Sequence, residues 1–482
     1  MTKLLVTGAT GYVGGRLCPI LISKGYSLRC LVRDASRLSL DLVQGADIVE
    51  GDASDERSLR KALDGIDIAY YLIHSLSSKD EDFSHKDLKT AQLFGQIAAE
   101  LGVKRIIYLG GLGSAKDELS KHLKSRQQTG DALRLSGVPV TEFRAGIIIG
   151  SGSLSFELLR YLSERLPVMI CPRWVRTLAQ PIGIRDVLRY LVESLELPES
   201  TGKIFEIGGT TKLSYGDMIK SYARQRGLKR FLIHVPVLTP RLSSLWVNFI
   251  TPIPVQIARP LIEGVRNEVT VHDETVHTVF SFQPLSFEEA LTRALMKVNR
   301  GEIETAWTTS AERFSKRGSL LKVDQVEGFI VEKRQIEINA SAEIVFKHIS
   351  EVGGKKGWPY GNFLWQLRGF IDYLLGGVGM RRGRRSPIDL RVGDVIDFWQ
   401  VEKFERNRLL RLRAEMKVPG KAWLQYEILE RGLENCTLSQ TAYFSPKGVA
   451  GLLYWYLLYP IHAIMFQGTV QKLKQAAEKT HR

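Results

Sequence analysis

The pattern of apolar and polar positions divides the chain into two parts with different periodicities. Over roughly the first 110 residues, short apolar runs alternate with amphipathic segments, which predicts strands alternating with helices. The predicted strands are 3–6, 27–32, 46–50, 66–72 and 104–109, and the clearest predicted helix is 87–101. Such alternation predicts a doubly wound parallel sheet of the α/β class, with ligands at the carboxyl ends of its strands.

The second part of the chain changes to runs of strands. Residues 329–338 alternate, and 341–349 have a helical pattern with Ser341 as a plausible cap. Further strands are predicted at 395–405, 409–416, 423–429 and 436–444, before one long apolar helix. We therefore predict one domain over 1–300, with a nucleotide half (1–150) and a substrate-side extension (151–300). A linker (301–325) and an α+β domain (326–482) follow.

A glycine-rich turn follows the first strand directly. Gly8, Gly11 and Gly14 have the spacing G-x-x-G-x-x-G and lead into an apolar helix, as in the phosphate-binding turn of a Rossmann-type fold. There a helix N-terminus faces the pyrophosphate of a dinucleotide. Predicted cofactor-binding residues in this turn are Gly8, Thr10, Gly11, Tyr12, Val13 and Gly14.

Polar residues at the next strand ends refine the cofactor prediction. Arg33 lies nineteen residues beyond Gly14, where a carboxylate would favour NAD and an arginine favours the 2′-phosphate of NADP. NADP(H) is therefore favoured over NAD(H), although Arg33 could instead pair only with Asp34. Asp52 could accept from the adenine amino group or cap the next helix, with Asp55 as the competing cap. Ala53 and His74 complete the predicted cofactor site.

These motifs, together with 70–75 and 143–150, resemble the short-chain dehydrogenase/reductase superfamily. The likeness is greatest to its atypical branch, which includes NmrA-like proteins and a nucleotide-binding accessory subunit of respiratory complex I. The resemblance covers about residues 1–300 and implies an NAD(P)-binding domain.

The catalytic positions of that family are altered here. Dehydrogenases of the family carry a Ser after strand five and a Tyr-x-x-x-Lys pair on the next helix. This chain has Gly110-Gly111 at the strand end, Ser114 a few residues beyond, and His122 and Arg126 at the Tyr and Lys positions. The resemblance implies His122 as proton donor and Arg126 as the group that holds ribose or substrate, with Ser114 beside them. Alternatively, His122 lies on an exposed turn without a catalytic role.

The C-terminal part resembles the helix-grip, START-like lipid-binding fold in its order of elements. Residues 448–471 contain no charged side chain and are long enough to span a bilayer. The helix could instead form the domain core, contact a membrane surface or span the membrane. The apolar segment 235–264 could cover a pocket for a lipophilic substrate or be an irregular packed loop.

Composition and charge bear on which partners and which compartment we expect for this protein. The net charge is +15, and residues 316–482 carry 27 Lys and Arg against 17 Asp and Glu, with a cluster at 381–385. Basic residues beside apolar segments suit an anionic membrane surface, whereas no recognition pattern indicates nucleic acid. The four cysteines have no metal-ligand or disulfide spacing, so we expect no metal. This cysteine pattern, together with a strand rather than a signal peptide at the N-terminus, indicates a cytoplasmic protein. Peripheral contact at the inner face of the membrane is a further expectation.

Two functions remain open from the sequence. The first is an NADP(H)-dependent oxidoreductase that acts on an apolar carbonyl, enone or quinone-like substrate, despite its degenerate Ser-Tyr-Lys set. The second is a non-catalytic NAD(P)H-binding sensor or assembly protein whose C-terminal domain binds lipid or a partner. A small apolar substrate or a lipid is the expected ligand in either case.

Overall fold

The computed structural model separates the chain into two compact units. They comprise 1–297 with 302–316, and 298–301 with 317–482. The structure describes residues 2–35, 38, 43–74, 83–113, 120–235, 264, 267–300, 323–326, 328–380, 390–432 and 434–481.

The N-terminal unit is built on a parallel sheet. Its strands are β1 (Lys3–Thr7), β2 (Ser27–Val32), β3 (Asp47–Glu50), β4 (Ile68–Tyr71), β5 (Arg105–Gly111), β6 (Val140–Ala145), β7 (Ile148–Ile149), β8 (Val168–Cys171), β9 (Leu178–Ala179), β10 (Ile182–Gly183), β11 (Ile204–Ile207), β12 (Leu213–Ser214) and β13 (Phe231–His234). Seven of them form one sheet in the order β3-β2-β1-β4-β5-β6-β11, and every neighbouring pair is parallel. The predicted doubly wound sheet is confirmed.

Helices cover this sheet on both faces. They are α1 (Gly14–Ser23), α2 (Glu56–Leu63), α3 (Phe83–Glu100), α4 (Lys121–Arg134), α5 (Leu154–Arg165), α6 (Ile184–Glu193), α7 (Tyr215–Arg226), α8 (Val276–Val279) and α9 (Phe287–Arg300). One core lies between the sheet and α1 and α6, and another lies between the sheet and α2 and α3. Because side chains alternate across a strand, Leu4 and Val6 enter the first core while Leu5 enters the second.

The C-terminal unit is a separate antiparallel sheet with helices. Its strands are β14 (Val323–Val326), β15 (Phe329–Ile338), β16 (Val395–Ile396), β17 (Trp399–Glu405), β18 (Leu409–Ala414), β19 (Gly420–Glu430) and β20 (Cys436–Pro446), and its helices are α10 (Ala342–Ser350), α11 (Asn362–Leu374) and α12 (Gly448–His481). The strand order is β14-β15-β20-β19-β18-β17-β16. Residues 323–325, predicted as the end of the linker, therefore belong to a strand instead.

Helix α12 is the long apolar helix predicted at the end of the chain. Its second half packs on the sheet core through Phe466, Leu473 and Ala477. Only 22% of its most apolar 18-residue window is buried, and this is the one helix among the described residues that passes a length-and-hydropathy test for a membrane span. Of the predicted alternatives, a core helix thus accounts for one side of α12 only. The other side is exposed.

Candidate functional site

The glycine-rich turn connects β1 to α1 at the carboxyl edge of the parallel sheet. Gly8 has φ +76°, and a Cβ atom there would lie 2.7 Å from the carbonyl oxygen of Leu72, just beyond β4. The Gly11 N–H donates to the Gly8 carbonyl at 2.8 Å. A Cβ on Gly14 would collide with that same carbonyl oxygen. The turn therefore requires glycine at these positions and keeps the α1 N-terminus open to an anion.

The other predicted residues of the turn are also placed at this edge. Thr10, Tyr12 and Val13 are partly buried. The Arg16 guanidinium lies 4.1 Å from the Tyr12 ring centroid, and Arg16 Nη2 donates to the Ser151 carbonyl at 2.9 Å. Arg16 thus joins the turn to the segment before α5, a role that sequence reasoning missed. A buried arginine in an otherwise apolar helix face was the available signal.

Arg33 and Asp52 lie together at the ends of the next two strands. Arg33 follows β2 directly and is exposed. Asp52 follows β3 and accepts from the Ser54 N–H at 2.9 Å and from Ser54 Oγ at 2.8 Å. Burial acts to raise the pKa of Asp52, but the Ser54 hydrogen bonds and the nearby Arg33 charge bring that pKa below its usual value. An ionised carboxylate is thus available beside an arginine.

Asp55, rather than Asp52, caps α2. Its Oδ2 atom accepts from the Ser58 N–H at 2.8 Å, as an N-cap side chain does. This finding removes the alternative in which Asp52 serves only as a helix cap. Ala53 is buried behind Asp52, with 9% of its surface exposed.

A second cluster lies at the ends of β4 and β5, on the other side of the glycine turn. His74 follows β4 by three residues, and His122 lies at the start of α4. Their ring centroids are 6.1 Å apart, with the rings perpendicular. Burial and the adjacent Arg126 charge lower the pKa of His122 to about 4. At neutral pH His122 is therefore an uncharged imidazole, and a proton-donor role would require bound cofactor or substrate to raise that pKa.

Arg126 is held against the end of β5. Its Nη2 atom donates to the Leu109 carbonyl, and its guanidinium lies 5.5 Å from the Tyr108 ring centroid. The Tyr108 hydroxyl donates to the Arg126 carbonyl at 2.8 Å. Burial raises the pKa of Tyr108 to about 12, so its hydroxyl keeps its proton. One guanidinium N–H is thus used by a backbone carbonyl, and the others are the donors that a ribose could accept from.

Glu142 occupies the space that side chains on Gly110, at the end of β5, and Gly130, on α4, would need. This carboxylate on β6 is fully buried, and it accepts from Arg144 Nε at 2.8 Å and also pairs with Arg134. A Cβ on Gly110 would lie 2.9 Å from Glu142 Oε1, and one on Gly130 would lie 2.5 Å from Oε2. The end of β5, where dehydrogenases of the family carry a serine, is thus packed against a buried carboxylate. Sequence reasoning missed Glu142, because its partners Gly110 and Arg134 lie on other elements.

Some predicted parts lie outside the described residues. These are Ser114, nearly all of 235–264, most of the linker and the basic cluster at 381–385. Within the described ranges, no group of three or more His, Cys, Asp or Glu side chains could hold a metal ion. The residues that are described fit a dinucleotide: a cradle that a Cβ would fill, a helix N-terminus and an exposed arginine at the second strand end.

Comparisons with known proteins match each part of the chain separately. Residues 8–149 match a family model described as NAD(P)H-binding. Residues 329–469 match a family model described as a protein of unknown function, DUF2867. The START-like resemblance of the C-terminal unit therefore stays a prediction.

Relatives and solved structures agree with the first of these matches. Photosystem II assembly factor Ycf39 from Cyanophora paradoxa is 26% identical over 240 residues, covering 49% of this chain and 72% of that protein. The mouse mitochondrial NADH dehydrogenase [ubiquinone] 1 alpha subcomplex subunit 9 is 27% identical, covering 45% of this chain and 59% of that protein.

Among solved structures, the Escherichia coli NADPH-dependent quinone oxidoreductase QOR2 complexed with NADPH has a TM-score of 0.50 and 18% identity. The match covers 61% of this chain and 99% of that one, and it supports the fold alone. Over residues 8–149 the N-terminal unit is thus similar to NAD(P)H-binding proteins, in agreement with the predicted resemblance to atypical short-chain dehydrogenases/reductases.

Proposed function

We propose that this protein is an NADP(H)-dependent oxidoreductase for an apolar carbonyl, enone or quinone-like substrate. The observation that carries the proposal is the arrangement at the carboxyl edge of the parallel sheet. There the open N-terminus of α1 lies one strand away from the exposed Arg33, which in turn lies beside the ionised Asp52. A pyrophosphate suits the helix N-terminus and a ribose 2′-phosphate suits the Arg33 guanidinium. The Asp52 carboxylate can only accept hydrogen bonds, and the adenine amino group is its predicted donor.

The remaining residues would act around the reacting end of the cofactor. When bound, the reduced nicotinamide supplies a hydride. His122 is neutral and can donate a hydrogen bond to the carbonyl oxygen of a substrate, while His74 lies beside it. Arg126 is one helical turn further on the same face of α4 and can position ribose or substrate with the N–H groups that Leu109 does not use.

A non-catalytic function is the second candidate. It is favoured by the engagement of Arg126 with a backbone carbonyl, by the low pKa of His122 and by the glycines packed on Glu142. In this function the nucleotide would be a structural ligand or a redox signal. The relative from Cyanophora paradoxa, whose name is that of an assembly factor, gives loose support to this alternative.

The cofactor preference can be tested by fluorescence titration with NADPH and NADH. We expect Arg33→Ala to weaken NADPH binding by roughly 10- to 100-fold and to leave NADH binding nearly unchanged, since only NADPH carries the 2′-phosphate. Lys24→Ala is the matched control, because Lys24 follows the other end of α1 and pairs with Glu196. Equal affinity of the unmodified protein for both nucleotides would contradict the preference for NADP(H).

Turnover is tested separately by following the absorbance of NADPH with a panel of quinones, enones and apolar aldehydes. We expect oxidation with at least one acceptor, and a loss of about 10- to 100-fold in rate for His122→Asn with unchanged NADPH affinity. Tight NADPH binding without oxidation by any acceptor would favour the non-catalytic function.

A further inference from the structure

Helix α11 in the C-terminal unit exposes an apolar stripe. Trp365 on its inner side is 6% exposed and belongs to the core, whereas Phe363 and Leu374 on the outer side are 71% and 66% exposed. The spacing of the exposed residues follows one helical face. The stripe consists of Phe363, Leu367, Phe370, Ile371 and Leu374.

The first half of α12 has the same construction. Trp455 is buried in the same core as Trp365, while Leu457 and Ile464 are 70% and 62% exposed. An exposed stripe of this length on a water-facing helix would ordinarily be polar. Its members are Val449, Leu453, Tyr456, Leu457, Ile461 and Ile464.

The two helices lie side by side in antiparallel directions. Near the start of α11, a Cβ on Gly361 would lie 3.7 Å from Met465 Cγ, and further along Arg368 Nε donates to the Tyr454 hydroxyl at 3.4 Å. Both helices turn their inner sides to one core, so both stripes point away from it. We call the two stripes together the apolar face. A patch of eleven exposed apolar side chains on two adjacent helices marks an interaction site.

Basic residues lie at one end of the apolar face. Lys417 is exposed at the end of α11, where its Nζ donates to the Leu375 carbonyl at 3.0 Å, and Lys447 is exposed just before α12. Arg368 donates to the Lys417 carbonyl at 3.2 Å. The carboxylate of α11, Asp372, is fully buried and accepts from the Lys417 N–H at 2.6 Å. Lys417 and Lys447 thus expose positive charge at this end, whereas the Asp372 carboxylate is withdrawn from the surface.

We propose that the apolar face docks the protein on the surface of a membrane that contains anionic lipids. Apolar side chains flanked by lysines are the combination that binds such an interface. Docking explains why α12 is apolar on both sides: one side fills the core and the other meets the lipid. A full span would require the removal of Trp455, Met465 and Phe466 from that core. The proposal does not depend on nucleotide binding or turnover.

The test is sedimentation of the full chain with vesicles of phosphatidylcholine alone or mixed with phosphatidylglycerol. We expect binding to the anionic vesicles, weakened by salt, and weak binding to the neutral ones. Leu374→Glu and Leu457→Glu should each reduce binding at least about 10-fold, the effect of losing one buried leucine. Leu135→Glu is the matched control, because Leu135 is 83% exposed but lies in the N-terminal unit.

Three outcomes would overturn the proposal. The first is absence of binding to anionic vesicles. The second is equal binding by Leu457→Glu and by Leu135→Glu. The third is a dimer in sedimentation velocity that Leu457→Glu dissociates, since the apolar face would then be a protein interface. Circular dichroism of each variant verifies that the fold is retained.

Discussion

His122 decides what the candidate site can do at the scale of single residues. Its ring is buried near His74 and lies one helical turn from the cationic Arg126. Burial and that charge both resist protonation of the imidazole. As in a tyrosine–lysine pair, the cation favours the deprotonated form of its partner, but deprotonated histidine is neutral whereas deprotonated tyrosine is an anion.

The titration of His122 has a measurable consequence for stability. Its pKa in the folded chain is about 4, below the ordinary value of 6.5, so between those values the unfolded chain binds more protons. We expect the His122 contribution to stability to be complete above pH 6.5 and to fall as the pH drops towards 4, with a size of about 3 kcal/mol. Denaturant unfolding from pH 7 to 4 measures it.

His122→Asn is the control for this titration, since it should remove the His122 contribution and leave that of His74, whose pKa burial also lowers. His462 in the C-terminal unit also has a pKa of about 4 and contributes separately. A histidine resonance that titrates near 6.5 and disappears in His122→Asn would refute the prediction.

At the scale of elements, the glycine turn couples β1, β4 and α1. The Gly8 carbonyl accepts from Gly11 and leaves no space for a Cβ on Gly14. We expect Gly14→Ala to weaken NADPH binding at least about 10-fold, because the helix N-terminus must move away from the turn. Gly432→Ala is the control, since a Cβ there meets no atom within 4 Å.

Fluorescence titration of both glycine variants makes the comparison. Unchanged NADPH affinity of Gly14→Ala, with a normal circular dichroism spectrum, would show that the turn does not hold the nucleotide.

The sequence predicted those elements in which apolar and polar residues repeat with the period of a half-buried strand or helix. Strands 27–32 and 329–338 agree with the structure to the residue, and Ser341 caps α10 through its hydroxyl oxygen. The predicted strand 395–405 is instead two strands, because the chain turns at Asp397 with φ +55°. Helix α11 was missed because its outer side is as apolar as its inner side, which removes the amphipathic signal.

The candidate site was predictable at its cofactor end and much less so at its catalytic end. Glycine spacing and strand ends are local, so Gly8, Arg33 and Asp52 could be placed from the sequence. The engagement of Arg126 with Leu109 and the packing of Gly110 on Glu142 join residues from β5, β6 and α4. Nothing in the local pattern indicates that a buried carboxylate fills this strand end.

At the scale of the whole molecule, the two units have separate hydrophobic cores. We expect scanning calorimetry to resolve two transitions. NADPH at 100 times its Kd should stabilise the N-terminal unit by about 2.7 kcal/mol and raise the temperature of one transition only. The same experiment on Arg33→Ala should show a smaller rise. A single transition that moves as a whole would mean that the units unfold together.

The two-sided apolar character of α12 has a consequence for membrane topology. A hydropathy profile does not distinguish a helix with one apolar side in a protein core and a second apolar side exposed from a helix that crosses the bilayer. Such a profile would place the lysines of the last turns (Lys472, Lys474 and Lys479) on the far side of the membrane. If the apolar face docks on a membrane as proposed, those lysines stay on the same side of it as the sheet, since Leu473 and Ala477 between them are buried in the core. Hydropathy alone would then assign the last turns of α12 to the wrong side of the membrane.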